Sequence, residues 1–397
     1  MKYDIMLQGF HWKSHEQNWY QIIQQNAQRI KDSGFTLVWF PPPSDCADYE
    51  GYLPRELYKL DSNYGTAAEL KTTIDTLKPE VKAIADIVIN HRVGSRDFAD
   101  FKNPTWSTYS IVSNDEYQGL KSFHWDSGES YHAGRDLDHR NPEVSNSLID
   151  WMNYLKEPSK AGFVGWRYDL VKGYAGWATE LYNRNTSPEF TVGEFFDGDV
   201  QKVINWIDST HPNPAFRSTA FDFPLRDALY QAVAWKNFHY LKYGDRAAGL
   251  IGLWSDKAVT FLENHDTEEV RNGENGVPYF PGGEQMVQGY AYLLTHPGIP
   301  CVFWRDIYDS GEFYEKQIRQ LIEIRQQYGI HSESKLYIAT ARQGLVYAAY
   351  IQGDRGEVAM KIGPGSWQPE GSKWLPGMDL ILSGQDYAVW GERGKFW

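Results

Sequence analysis

Eight short apolar runs, separated in most gaps by helical sequence, dominate this chain of 397 residues. Strands are read at 3–9, 36–40, 81–90, 163–169, 190–194, 218–223, 258–264 and 299–304. Helical spacing of apolar residues is read near 17–32, 67–78, 143–156, 174–184, 225–241, 284–295 and 313–328. Strands alternating with helices give a parallel sheet with crossovers, and eight such units suggest a closed (β/α)8 barrel of the α/β class, with a doubly wound sheet as the alternative. The rhythm breaks at 92–140, where Ser, Asp, Gly, His and aromatics replace the periodic pattern. That stretch reads as an excursion after the third strand, of the kind that often carries function. From about 333 to 397 the runs are short and divided by turn residues, which predicts a small antiparallel β domain after a barrel at 1–91 and 141–332.

Composition narrows the possibilities. The formal charge of −13 argues against a nucleic-acid partner, which needs clustered Lys and Arg. No apolar run is long enough to cross a membrane, and none is expected as a partner. A monomer is expected. Cys46 and Cys301 have no metal-like spacing, and Cys301 in "GIPCVFW" reads as a small apolar filler. Residues 1–9 already read as a strand with no signal peptide before them. That leaves a cytoplasmic protein or a trimmed secreted one.

A barrel makes a demand: reactive residues should sit at the carboxyl ends of its strands. "DIVINH" ends in Asn90 and His91, "GWRYD" in Arg167 and Asp169, "TVGE" in Glu194, and "FLENHD" in His265 and Asp266. Any one of these has a plain structural explanation, such as an Asp capping the next helix. Four together are harder to explain that way. Arg167 and Asp169 are two apart and so share one side of their strand. Three carboxylates, two histidines and an arginine at one mouth suit glycoside hydrolysis, which sets a carboxylate against a proton donor. Arg167 would keep Asp169 ionised as the nucleophile, and crowding would keep Glu194 protonated as the acid.

In order and spacing, these four segments resemble the conserved regions of the α-amylase family, glycoside hydrolase family thirteen. "LQGFHW", "EGYLPRELYKLDSNYGTAAEL", "DLDHRNPEV" and "MVQGYAYLLTHPGIPC" are most similar to its plant-type members. The resemblance implies Asp169 as nucleophile, Glu194 as acid/base and Asp266 as the third carboxylate. It implies that His91, His265 and Arg167 surround the cleaved sugar, with Tyr52 as its aromatic platform and Trp12 at the border of the cleft. Lys172 falls on the leaving-group side. Phe196 stands where plant-type enzymes usually carry Trp. The resemblance also implies a structural Ca²⁺ held by Asn90, Asp126, Asp136 and the main-chain carbonyls of Glu129 and Gly173, all hard oxygen ligands. Residue 173 is Gly, as in plant-type enzymes, where many other members carry His. "GLWSDK" has Leu253 beside Trp254 instead of two adjacent Trp, which puts a surface starch site in doubt. The excursion is shorter than in plant-type enzymes, so fewer calcium ions are expected.

The function so implied is retaining endohydrolysis of α-1,4-glucans: starch, glycogen or maltooligosaccharides. A transglycosylase or an exo-acting maltogenic enzyme of the same fold is the alternative, because the carboxylate trio does not set acceptor choice. An inactive glucan-binding protein and a metal-dependent barrel enzyme are further readings. The intact trio argues against the first. The placement of the ion residues, away from the barrel mouth, argues against the second.

Overall fold

The computed structural model describes residues 2–271, 276–370 and 377–392. Eight parallel strands close a barrel: β1 (Met6–Gln8), β2 (Leu37–Phe40), β3 (Lys82–Ile87), β4 (Gly165–Tyr168), β5 (Phe190–Gly193), β6 (Thr219–Phe221), β7 (Ala258–Thr260) and β8 (Ile299–Phe303). Each pairs with its neighbours in chain order, and β1 pairs with β8 to complete the ring. The alternative of a doubly wound sheet is thereby excluded. The strands are mostly shorter than their apolar runs. Asp169 and Glu194 therefore lie one residue beyond β4 and β5, and Asp266 lies within a longer loop after β7.

The helices sit where the spacing places them, with local causes for their ends. The expected first helix is two, α1 (Trp19–Gln25) and α2 (Ala27–Asp32), divided at Asn26, whose side chain donates to the Ile22 carbonyl at 2.9 Å. Such side-chain bonds compete with the helical ladder. α3 (Ala67–Leu77) begins with a capping box of Thr66 and Glu69, which satisfies two otherwise unpaired N–H groups. α4 (Pro142–Lys156) follows the Asn141 cap with Pro in its first turn, and α5 (Gly176–Thr186) follows β4.

α6 (Val200–Ser209) answers to no helix in the sequence reading. Asp199 caps it, and it buries Val203, Trp206 and Ile207 on one face. α7 (Phe223–Trp235) stops short of residue 241, and the last residues of that stretch form a separate 3₁₀ turn. α8 (Glu284–Thr295) and α9 (Glu312–Tyr328) complete the ring.

The tail forms one antiparallel sheet of β9 (Lys335–Arg342), β10 (Val346–Gln352), β11 (Glu357–Ile362), β12 (Met378–Gly384) and β13 (Tyr387–Glu392), in the order β9-β10-β11-β13-β12. Residues 371–376 and 393–397 of the expected tail lie outside the described residues. The sheet packs on α8, where His296 Nε2 meets the Tyr347 hydroxyl at 2.8 Å. The excursion is closed at its root by a short antiparallel pairing of His91–Arg92 with Arg135–Asp136. Cys301 is buried in β8. No helix among the described residues is long and apolar enough to cross a membrane.

Candidate active site

At the carboxyl ends of the strands lies a cavity of about 400 Å³ lined by Trp12, Tyr52, Tyr131, Asp169, Leu170, Glu194, Phe196, His265, Asp266 and Arg271. Arg167 lies outside that lining, against the carboxylates of Asp169 and Glu194. This guanidinium has no solvent exposure, and burial works against its charge, but Asp86, Glu194 and Asp169 together hold it protonated. Its Nη1 donates to Asp169 Oδ1 at 2.6 Å and to Asp86 Oδ1 at 2.8 Å, and its Nη2 lies 2.6 Å from Glu194 Oε1. The expected Arg167–Asp169 pair is thus part of a four-membered cluster.

Asp86 was not singled out in the sequence. It stands inside β3, opposite Arg167 in register, and also accepts from Trp39 Nε1 at 3.1 Å and the Tyr52 hydroxyl at 3.0 Å. Burial pushes its pKa up to about 7. Its signal was available: a carboxylate inside an apolar strand requires a partner.

Glu194 differs from its neighbours. Burial lifts its carboxyl well above the usual range, and the nearby Asp169 and Asp266 carboxylates add to the rise. Its Oε2 accepts the Leu170 N–H at 3.2 Å. Leu170 has φ 43° and ψ 50°, a left-handed conformation that costs a non-glycine residue roughly 1–2 kcal/mol. That turn follows Asp169 directly and aims the Leu170 N–H at Glu194. Asp266, hydrogen-bonded to Glu194, goes the other way. Burial opposes its ionisation, but His265, Arg167 and Arg271 hold it below the usual range. A protonated Glu194 thus faces an ionised Asp266, the separation of roles that acid catalysis uses.

His265 is neutral, its pKa driven down to about 3 by burial. Gln8 Nε2 reaches its Nδ1 at 2.9 Å, which leaves Nε2–H to face Asp266 Oδ2 at 3.2 Å. The rings of Trp12, Tyr52 and His265 are nearly parallel, within 8° of one another, and make one aromatic wall. Phe196 closes the far side, edge-on to Phe223 at 4.4 Å.

Besides Arg167, two residues expected to face the substrate fall outside that lining. His91 is 1% exposed; its Nε2 sits 2.7 Å from the Tyr52 carbonyl, and Tyr131 stacks over its ring at 4.0 Å. Tyr131 takes the place at the surface, and nothing in the aperiodic excursion marked it out. Lys172 pairs with Glu129 Oε1 at 3.2 Å and Asp197 Oδ2 at 3.4 Å, outside the cavity lining. Arg271 was also unread.

At the junction of barrel and excursion, the Asn90 Oδ1 and Asp126 Oδ2 atoms are buried with no hydrogen-bond partner among the described residues. A Cβ on Gly173 would come within 2.0 Å of Asn90 Oδ1, so only glycine lets the main chain approach there. Burial, together with Asp126, Glu116 and Asp115, pushes Asp136 up to about 8. Asp136 forms a close acidic group with Asp115 and Glu116, neither of which was expected. Asp115 is already neutralised by Arg135 at 2.8 Å. Orphaned buried oxygens beside crowded carboxylates, of which Glu116 is exposed, fit a hard cation. Glu129 is tied in by its main-chain N–H, which donates to the Lys172 carbonyl at 2.9 Å. At the doubtful surface site, Leu253 is exposed, while Trp254 packs on the core beneath the Arg217 guanidinium.

A parallel barrel with paired carboxylates in an aromatic cleft at its carboxyl end defines a glycoside-hydrolase type of enzyme. Residues 18–187 match the family described as alpha amylase, catalytic domain, and residues 327–391 the alpha-amylase C-terminal beta-sheet domain. The first match takes in Asp169 but ends before Glu194 and Asp266. Probable alpha-amylase 2 of Arabidopsis thaliana is 35% identical, across 98% of this chain and 94% of its own. Alpha-amylase 3, chloroplastic, of the same plant is 34% identical across 98% of this chain and 44% of its own. The crystal structure of the alpha-amylase from Geobacillus thermoleovorans, complexed with acarbose, matches with a TM-score of 0.71 at 19% identity. It covers 95% of this chain and 92% of its own, and at that identity speaks for the fold alone. The chain belongs to the α-amylase family.

Proposed function

We propose that the enzyme is a retaining endohydrolase of α-1,4-glucans, with Asp169 as nucleophile, Glu194 as general acid/base and Asp266 as the third carboxylate. The observation that carries this reading is the sharing of one buried guanidinium by Asp169 and Glu194, 2.6 Å from each. The carboxyl separation that double displacement uses, roughly 5–5.5 Å, falls within the reach of one such fork.

Asp169 attacks the anomeric carbon while Glu194 gives its proton to the glycosidic oxygen. The leaving chain departs, and a glycosyl ester forms on Asp169. Glu194, now ionised, takes a proton from water, and the water oxygen displaces Asp169 with the original anomeric configuration restored. Asp266, held ionised, stabilises positive charge at the sugar ring and accepts from its hydroxyls. The Trp12–Tyr52–His265 wall gives a flat apolar surface to the sugar.

Bound Ca²⁺ would be held by the Asn90 side chain, Asp126, Asp136 and the carbonyls of Gly173 and Glu129, neutralising crowded carboxylates and fixing the excursion to the barrel. The orphaned Asn90 and Asp126 oxygens support that assignment. NMR of products during hydrolysis of a soluble α-1,4-glucan tests the function. Short α-anomeric oligosaccharides appearing early are expected. Chain-lengthened products would replace the reading with transglycosylation, and binding without products would replace it with an inactive glucan-binding protein.

A further inference from the structure

Arg271 closes one end of the cavity. It ends a 3₁₀ turn, Glu269–Arg271, in the loop after β7, and its main-chain N–H donates to the Glu268 carbonyl at 2.9 Å. Its guanidinium carbon lies 3.6 Å from the centre of the Trp12 ring, the distance of face-to-face contact. The Trp12 backbone is anchored: its main-chain N–H donates to Glu268 Oε1 at 2.6 Å, while Glu268 Oε2 accepts from Arg305 Nη1 at 2.6 Å. Glu268 is 2% exposed, so this anchor is buried. The loop after β7 thus grips the loop after β1 twice, through the Glu268 carboxylate on its backbone and the Arg271 guanidinium on its ring.

The chemistry of that arrangement is specific. A bare indole offers a sugar an apolar face. A guanidinium 3.6 Å from the ring centre covers part of that face and brings hydrogen-bond donors into the cavity lining. β1 and β5 stand opposite in an eight-stranded ring, so this wall faces Phe196 across the cavity. One end of the cavity is therefore hydrogen-bonding and the other is apolar. Arg271 also sits close enough to Asp266 to help hold it ionised, as expected of a cation reaching into the cleft.

We propose that Arg271 is a substrate-binding residue: stacked on Trp12, it donates hydrogen bonds to the hydroxyls of a glucosyl unit bound at the β1 side of the cleft. That end of the site then selects its sugar by polar contact and sets how far the chain can extend past Trp12. The inference rests on the glucan reading above and deepens it.

The test is steady-state kinetics and product analysis on maltooligosaccharides of three to seven glucose units, for the wild type, Arg271→Ala, Arg271→Lys and Trp12→Ala. Arg271→Ala is expected to raise KM about tenfold, a larger change than its effect on kcat, and to shift the bonds cut. Arg271→Lys should restore little, because a lone ammonium lacks the flat fork. The Ala changes at Trp12 and Arg271 should combine non-additively, because the two side chains act as one unit. Unchanged KM and cutting pattern in Arg271→Ala would overturn the proposal. So would a melting-temperature loss with no change in KM, which marks a purely structural contact. A wild type without turnover would overturn the proposed function, and this inference with it.

Discussion

Asp86 and Arg167 face each other in register on adjacent barrel strands, 2.8 Å apart and both without solvent exposure. Asp86 is the one carboxylate of the cluster that the cavity does not reach, so its work is structural. Asp86→Ala leaves Trp39 Nε1 and the Tyr52 hydroxyl without their acceptor and removes one counter-charge from Arg167. Breaking a buried pair costs about 3–5 kcal/mol, and two carboxylates remain on Arg167, so a loss near ~3 kcal/mol is expected. A urea midpoint equal to the wild type's would show that the other two carboxylates suffice.

Asp169→Asn keeps the shape of the side chain and an oxygen for Arg167 but removes the nucleophile. Turnover of soluble glucan should fall on the order of 10⁴-fold, the scale seen when a nucleophilic constellation loses a member. The melting temperature should stay within a few degrees. Residual hydrolysis within tenfold of the wild type would remove Asp169 from the nucleophile's role.

Glu194→Gln should lower hydrolysis of starch by roughly 10²–10⁴-fold, the usual contribution of a positioned acid. Burial raises the Glu194 carboxyl, so its proton is retained to higher pH than for an ordinary glutamate, near 4.3. The sign follows: activity falls as pH rises through this raised value, and the alkaline limb of kcat/KM belongs to Glu194. A glucosyl fluoride needs no proton on its leaving group. The first step on that substrate should survive in Glu194→Gln and lose the alkaline limb. If both substrates are equally impaired, Glu194 is not the acid.

Chelation should lower the melting temperature, because a cation bound only to the folded state stabilises it by about 2.7 kcal/mol at a hundred times its dissociation constant. Gly173→Ala, which puts a Cβ 2.0 Å from Asn90 Oδ1, should melt lower and respond less to chelator. Elemental analysis that finds no calcium in the purified protein, with melting indifferent to excess chelator, would end the calcium assignment.

Much of this was legible before any coordinates. Asp169 and Glu194 stand just past strand ends, which an apolar run is enough to place, whereas β7 stops at Thr260 and leaves His265 and Asp266 in the loop beyond it. α6 was legible too: Val203, Trp206 and Ile207 repeat at helical spacing behind the Asp199 cap, a pattern passed over between two strands. Tyr131 and Arg271 are of another kind. Both belong to aperiodic loops, and only tertiary contact brings Tyr131 over His91 and Arg271 onto Trp12. His91 and Lys172 were read as facing the substrate because they match residues of the family; a matched position does not fix whether a neighbour such as Tyr131 covers the side chain.

The pairing of His91–Arg92 with Arg135–Asp136 at the root of the excursion has a consequence for how such chains diversify. Both feet of the excursion are clamped, so its distance of closure is set by hydrogen bonds and not by its length. Doubling a loop whose ends are already fixed costs only about 0.6 kcal/mol in closure entropy. Residues between Val93 and Asn114 precede Asp126, Glu129, Tyr131 and Asp136, and none of them lines the cavity. Within that interval Phe101, Trp106 and Ile111 are buried in the core and Asn114 accepts the Asp126 N–H, so the exposed turn at 95–98 is the natural place to graft sequence; Asp169 and Glu194 follow strands whose spacing it does not touch.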